Sequence, residues 1–473
     1  MKVNPSIFRP ADIRGRIREG ELDVDSVALV AKAYGTFLRK RGIDKVIVGY
    51  DSRPSSKSFN EPVVEGLLST GCNVIELGMV LTPIVYWAQY YLQIEGAVMI
   101  TGSHNPPEWN GFKLARGYSY TISGEEVQEI RQIIEDAAFD KGRGFYQEEQ
   151  VVEAYFQDML SRSKIFKPLK VIVDCGNGTA GAFVPNLLRR TGCNVVELYC
   201  DIDPSFPHHF PDPTIVEGRR DLAERVRENK ADFGLSFDGD GDRLGVTDEL
   251  GNTVWADQLL IIWSREILQH QPGAKIVFDV KCSQALAEEI ERMGGVPVMW
   301  RTGNNFIKQK CKEVSAPLGG EMSGHLFFAD RYYGFDDSLY SALRLLETLS
   351  RHDNALSEVI ASIPHYYATP EIRVDCSDED KFNIVNKLVQ EFKSDGYNVF
   401  DLDGARVNFD EGWGLVRASS NLPMLTLRFE AVSETKLNEY MEFFRRKLSA
   451  FSEVSSQWAN VSPSSSPKKD ELK

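Results

Sequence analysis

Three aspartates alternate with glycines in FDGDGDRLG, Phe237 to Gly245. Carboxylates at i, i+2 and i+4 converge on one hard cation when the glycines between them let the backbone curl round it. Without a cation, three adjacent carboxylates repel. The rival reading is an EF-hand calcium loop, because counting Asp238 as position one puts Glu249 at position twelve. Position six is then Arg243, where that loop's sharp turn needs glycine, and the flanks ADFGLSF and RLGVTD read as strands rather than helices.

A second string, ITGSHNPPEWNGFK from Ile100 to Lys113, follows the apolar run GAVMI. It therefore sits at the C-terminal end of a buried strand, where open α/β sheets hold ligands. Ser103 reads as an exposed nucleophile whose loop amides cradle an anion; a serine in an ordinary turn is the alternative. GEMSGH, from Gly320 to His325, offers Glu321 and Ser323 on a glycine-flanked loop, a pairing suited to neighbouring sugar hydroxyls, with a helix start as the alternative. RASSNLP, from Arg417 to Pro423, holds the inventory of a phosphate clamp in Arg417, Ser419, Ser420 and Asn421, though a polar hairpin loop would look the same. Near the N-terminus, FRPADIRG sets Arg9 and Arg14 beside Asp12, which by itself reads as a surface ion pair.

These loops need strands to carry them. DKVIVGYDSR, LKVIVDCGNG and AKIVFDVKCS are apolar runs closing on Asp51, Asp174 and Asp279, each reading as a strand buried on both faces. A helical stretch and a glycine-led second strand follow each of them: TGCNVIELG, TGCNVVELY and MGGVPVMWR. That is βαβ grammar three times over, and the recurrence of TGCNV points to duplication. The last part differs. HYYATPEIRVDC reads as a strand, and a helix over 379–395 places Phe382, Val385, Leu388, Val389 and Phe392 on one face. A hairpin turns at Asp403-Gly404, and a final helix from Glu434 points Leu437, Tyr440, Met441, Phe444 and Leu448 inward. The expected architecture is three related α/β domains with mixed sheets, over 1–148, 149–252 and 253–364. A smaller α+β domain over 365–452 and a disordered Ser-rich tail over 453–473 complete it.

Composition supports folded domains: 473 residues, 42% apolar and 26% charged, with a net charge of −15. The acidic balance argues against a nucleic-acid partner, since counterion release needs a basic surface. Seven scattered cysteines without a CxxC pair support neither a disulfide framework nor a zinc ribbon. With no signal-peptide h-region and no apolar run of membrane-spanning length, the expectation is a cytoplasmic protein with reduced thiols and no membrane partner.

Taken together, these strings resemble the α-D-phosphohexomutase family, most of all its phosphomannomutase/phosphoglucomutase branch. The motifs span about residues 7 to 450 in the family's order, and TGSHNPP and DGDGDR are the most specific of them. The resemblance implies four domains round one cleft and a small phosphosugar partner. Ser103 would be the phosphoserine. Asp238, Asp240 and Asp242 would bind one Mg²⁺ that also touches the Ser103 phosphate. Lys113 would be the general acid/base, with Arg14 and Arg243 stabilising charge. Glu321 and Ser323 would hold sugar hydroxyls beside His325, and Arg417, Ser419, Ser420 and Asn421 would grip the unreacting phosphate. A hexose 1,6-bisphosphate would be both intermediate and activator. The chain departs from the pattern at Ala11, at Asn304 (where relatives have a substrate-contacting histidine) and in the order of RASSNLP. The rivals are phosphoglucosamine mutase with the same mechanism, a metal-dependent phosphatase, and a non-catalytic sugar-phosphate- or Ca²⁺-binding protein.

Overall fold

A computed structural model describes residues 3–10, 12–419 and 422–454. Ala11, Ser420, Asn421 and the tail from residue 455 lie outside these described residues.

The first sheet contains β1 (Ile13–Arg16), β2 (Lys45–Tyr50), β3 (Asn73–Met79), β4 (Gly96–Ile100), β5 (Trp109–Arg116) and β6 (Tyr146–Glu148). The second contains β7 (Lys170–Asp174), β8 (Asn194–Leu198), β9 (Phe233–Phe237), β10 (Leu244–Asp248) and β11 (Thr253–Val254). The third contains β12 (Lys275–Asp279), β13 (Val296–Trp300), β14 (Leu318–Gly320) and β15 (Leu326–Phe328). One unit recurs in all three, with spatial orders β3-β2-β4-β5, β8-β7-β9-β10 and β13-β12-β14-β15. In each unit the first three strands run parallel and the fourth turns back antiparallel. The three mixed sheets expected from the repeated runs are therefore present, and the repeat extends to a strand pair that the runs did not reveal.

That extra turn matters for function. The serine string fills β4–β5, the aspartate string β9–β10 and GEMSGH β14–β15, so three dissimilar motifs occupy one topological position. Two of the three aspartates closing the first strands support this arrangement. Asp51 Oδ2 accepts from Thr101 Oγ1 (2.8 Å) and the Gly102 amide (3.1 Å), and Asp279 Oδ1 accepts from the Met322 amide (3.3 Å). Each first strand is apolar because both its faces are covered. In β2, Ile47 packs into one apolar cluster while Val46 and Val48 pack into another.

The fourth domain pairs β16 (Tyr367–Ala368), β17 (Ile372–Asp375), β18 (Asn398–Phe400), β19 (Ala405–Phe409), β20 (Gly412–Ala418) and β21 (Met424–Ala431) in one antiparallel sheet. The strand expected across HYYATPEIRVDC is two strands, both on β21, because Pro370 between them has no N–H to give the ladder. The helix Lys381–Ser394 buries Ile384, Val385, Leu388, Val389 and Phe392. Phe382 is not on that face, being 50% exposed. Lys381 turns inward in its place, donating to the Leu422 carbonyl at 2.9 Å. The final helix, Glu434–Leu448, buries all five residues expected of it.

The apolar interior is divided unequally. One continuous cluster runs from Ile47 and Trp87 through Val173 and Leu235 to Leu260 and Leu346, crossing the first three domains. The fourth domain keeps a separate cluster, from Ile372 to Leu448. It joins the third through a small apolar contact of Val280, Trp413 and Leu415, and through Arg406, which donates to the Val280 carbonyl at 2.6 Å. All seven cysteines are buried and free, and no helix among the described residues is long and apolar enough to cross a membrane.

Candidate active site

The β9–β10 turn brings Asp238, Asp240 and Asp242 together out of solvent, with one oxygen from each within 4.8 Å of the others. Asp238 is oriented by its own turn, Oδ1 accepting from the Asp242 and Arg243 amides at 2.9 and 3.1 Å. Asp240 is oriented from the first domain. Thr82, opening the helix Thr82–Leu92, donates its hydroxyl to Oδ2 at 2.5 Å and its amide to the Asp240 carbonyl at 3.0 Å. The carboxylate thus lies at the positive end of that helix. From the third domain, Ser338 Oγ donates to the Gly241 carbonyl at 2.5 Å.

Lys113 Nζ donates to Asp240 Oδ2 at 2.7 Å and also to Asp242 Oδ2. Burial opposes its charge, but Asp240 and Asp242 prevail and hold the ammonium well above its ordinary pKa. Asp238 is pushed well above the usual carboxylate range by burial and by Asp242 and Asp240. One ammonium does not balance three carboxylates, and Asp240 Oδ1 and Asp242 Oδ1 are buried without a hydrogen-bond partner. An all-carboxylate donor set with orphaned oxygens fits a hard divalent cation.

Ser103 Oγ donates to Asp238 Oδ2 at 3.0 Å and lies 3.1 Å from His104 Nδ1. Its backbone is left-handed, with φ 49°, a conformation that costs a non-glycine residue ~1–2 kcal/mol. Arg53 holds the loop in place, donating to the carbonyls of Ser103 (2.8 Å), Asn105 (2.5 Å), Pro106 (2.8 Å) and Trp109 (3.2 Å). Gly239 lets the aspartate loop close down on it, since a Cβ there would stand 2.4 Å from the Ser103 carbonyl oxygen. The sequence led us to expect an exposed serine. Ser103 is instead 3% exposed, because the second domain's loop covers it, and it forms part of the cleft floor.

Arg14 reaches the same floor. Its guanidinium donates to Asn105 Oδ1 (2.7 Å) and Asp12 Oδ2 (2.6 Å), while its Nε is buried without a partner. The Arg14–Asp12 pair is therefore a buried feature of the cleft rather than a surface ion pair. Arg243 Nε donates to His325 Nε2 at 3.0 Å, and Arg243 Nη1 lies 3.7 Å from Asp212. Glu321 accepts from the Gly303 amide and, at 3.1 Å, from Ser323 Oγ; burial pushes its carboxyl up. In the fourth domain, Arg417 Nε donates to Asp403 Oδ2 at 3.0 Å. The cleft measures about 2350 Å³, and every described candidate site residue other than the three aspartates lines it, Asn304 and Ser419 included.

Four family models match in succession. They are phosphoglucomutase/phosphomannomutase alpha/beta/alpha domain I over residues 5–141, domain II over 153–251, domain III over 255–367 and the C-terminal domain over 371–447. The chain belongs to the phosphoglucomutase/phosphomannomutase family. It is 42% identical over 445 residues to a phosphomannomutase/phosphoglucomutase of Pseudomonas aeruginosa, covering 94% of this chain and 96% of that one. It is 38% identical over 448 residues to a phosphoglucomutase of Neisseria gonorrhoeae, covering 94% and 96%. The crystal structure of a phosphoglucomutase/phosphomannomutase family protein from Burkholderia thailandensis superposes with a TM-score of 0.89 at 39% identity, covering 95% of this chain and 98% of that one. These relatives do not favour the phosphatase or binding-protein readings.

In this phosphoglucomutase/phosphomannomutase family member, three groups at or behind the cleft wall escaped the sequence reading. Arg53 stands two residues after Asp51, and Lys281 two residues after Asp279. Lys281 lines the cleft, its Nζ donating to Glu371 Oε2 at 2.9 Å. Laying the repeats on their closing aspartates would have found both. The third, Asp336, carries no comparable signal.

Proposed function

We propose that the chain interconverts hexose 1-phosphates and hexose 6-phosphates, of mannose, glucose or both. A phosphoryl group passes between Ser103 and the sugar by way of a hexose 1,6-bisphosphate that turns round between half-reactions. The observation that carries this reading is Ser103 Oγ held on Asp238 at the floor of a cleft to which all four domains contribute. The cleft is at least twice the ~300–1,000 Å³ of an ordinary ligand pocket, so a bound sugar has room to turn.

In the forward half-reaction the Ser103 phosphoester P–O bond breaks and a sugar hydroxyl forms the new one. Lys113, an ammonium already in place between Asp240 and Asp242, gives its proton to the leaving serine oxygen and is restored by the proton of the sugar hydroxyl. Arg14 and Arg243 face the charge that spreads over the transferred group. Glu321 and Ser323 hold sugar hydroxyls, His325 and Asn304 bound the same pocket, and Arg417 and Ser419 grip the unreacting phosphate, with Ser420 and Asn421 beside them in sequence. Asp238, Asp240 and Asp242 are the residues to hold Mg²⁺, which when bound offsets negative charge on the phosphoryl group. The 1,6-bisphosphate doubles as activator, since it can phosphorylate Ser103 afresh. The mannose and glucose names of the relatives support those hexoses over glucosamine.

Assays with mannose 1-phosphate, glucose 1-phosphate and glucosamine 1-phosphate test the reaction. The expected products are 6-phosphates of the first two, and inorganic phosphate released without isomerisation would overturn the reading. Arg417 separates binding from chemistry. It contacts the unreacting phosphate in ground and transition states alike, so Arg417→Ala is expected to raise KM with little change in kcat. The loss corresponds to about 1.5–3 kcal/mol, or roughly ten- to a hundredfold in kcat/KM. An unchanged KM would remove Arg417 from the site.

A further inference from the structure

Asp336 is fully buried and lines no part of the cleft, yet two cleft elements meet on it. Its Oδ2 lies 2.9 Å from His325 Nδ1, on the GEMSGH loop, and accepts from Asn304 Nδ2 at 3.0 Å, at the start of the helix Asn304–Val314. Lys308, from the same helix, approaches Asp336 Oδ1 at 3.7 Å and donates to Thr121 Oγ1 of the first domain at 2.9 Å. A second carboxylate near His325 is Asp242, its Oδ1 3.7 Å from Nδ1.

The two ring nitrogens of His325 have different jobs. Nε2 receives the Arg243 Nε–H at 3.0 Å and must therefore be the acceptor nitrogen. The ring proton then belongs on Nδ1, whose nearest carboxylate oxygen, at 2.9 Å, is Asp336 Oδ2. Asp242, His325 and Asp336 also bring donor atoms within 4.8 Å of one another. With Arg243 on Nε2 and Asp336 on Nδ1, that group is an Asp–His–Arg relay. The geometry points to Asp336 as a positioning residue: it fixes His325 in the Nδ1–H tautomer, and through His325 Nε2 it aims the Arg243 guanidinium into the cleft.

Asn304 belongs to the same device, because its amide shares Asp336 Oδ2 with His325. The substitution noted at this position in the sequence thus ties the TGNN turn to the histidine. An arginine held through Nε by an imidazole nitrogen, with Asp212 3.7 Å from Nη1, is positioned and can still engage an arriving phosphate.

The relay itself rests on geometry alone; its kinetic consequence rests on the phosphohexomutase reading. Two measurements on the full chain separate the two. First, long-range ¹H–¹⁵N correlation of the histidine rings, with His325 identified by its loss in His325→Gln among seven histidines, reads the tautomer without turnover. The wild type is expected to show Nδ1–H, and Asp336→Asn to show a mixture or the other tautomer. An Nε2–H or doubly protonated His325 in the wild type would overturn the proposal even if the variant failed to fold. Second, Asp336→Asn is expected to lower kcat about 10- to 100-fold with KM changed less than about threefold. In a His325→Gln background the same change is expected to cost less than about threefold, because the histidine through which Asp336 acts is gone. Equal losses in both backgrounds would mean that Asp336 acts elsewhere. Failure of the mutase reading would appear as absent isomerisation in the wild type, with the tautomer result unaffected.

Discussion

Replacing Ser103 by alanine is expected to abolish isomerisation and, in the same protein, to remove a covalent species about 80 Da heavier than the bare chain. The species should be present in part of the wild-type population and should map to Ser103. Loss of a covalent nucleophile removes a step no neighbour can perform, so activity should fall on the order of a thousandfold or more. His104, although 3.1 Å away, is a poor substitute: burial and the nearby Arg243 and Arg14 hold its pKa well below the ordinary value, and it lacks a hydroxyl to esterify. The fold should survive. Alanine meets the same left-handed φ that serine already tolerates, and the substitution takes away the hydroxyl's own hydrogen bonds, with Asp238 and His104. Melting within a few degrees of wild type, together with silent kinetics, is the expected pair of results. Normal turnover by Ser103→Ala would falsify the phosphoserine assignment.

The second large effect concerns the aspartate loop. EDTA is expected to silence the enzyme and Mg²⁺ to restore it, and Asp240→Asn to lower activity on the order of a hundredfold or more even at saturating metal. Stability should fall as well. In metal-free protein Lys113 and the Thr82 hydroxyl outweigh burial and the neighbouring carboxylates and hold the Asp240 carboxyl below its ordinary pKa, so the variant, which loses that ion pair, should melt below wild type. Adding Mg²⁺ should widen the gap. The wild type gains about 2.7 kcal/mol at a hundred times its Kd, while the variant gains less at the same concentration. Calorimetry with and without metal reads both differences. Full activity in EDTA would leave the loop a purely structural role.

Much of this site can be read along the chain because its chemistry is local. The aspartate loop, the serine loop and GEMSGH each carry their donors within a few residues, and the apolar runs before Asp51, Asp174 and Asp279 mark the strands that present them. What escaped depends on contacts between distant segments. Arg53 acts through four carbonyls of a loop some fifty residues away. Asp336 stands in an Asp-Asp pair whose members part company: Asp337 caps the helix Ser338–Ser350 through the Tyr340 amide, while Asp336 faces the cleft loops. Helical periodicity places Phe382 inside, but it does not register that Lys381, with Asp378 and the Leu422 carbonyl for partners, takes the inward place. The expectation of an exposed Ser103 fails for a similar reason, since the cover over it comes from the second domain.

The uneven division of the apolar interior has a consequence for cooperativity. The first three domains share one apolar cluster, besides smaller clusters of their own, so separating any of them exposes apolar surface belonging to the others and their opening is coupled. Ser103 on the cleft floor, the aspartates behind it and the GEMSGH loop all belong to those three coupled domains. The fourth domain has its own core and a small apolar seam, and can loosen as a separate foldon without dissolving the floor. Arg417 and Ser419 ride on this looser unit. On the proposed roles, the bond-making groups sit in the part that resists local unfolding, and the grip on the unreacting phosphate sits in the part that loosens most cheaply.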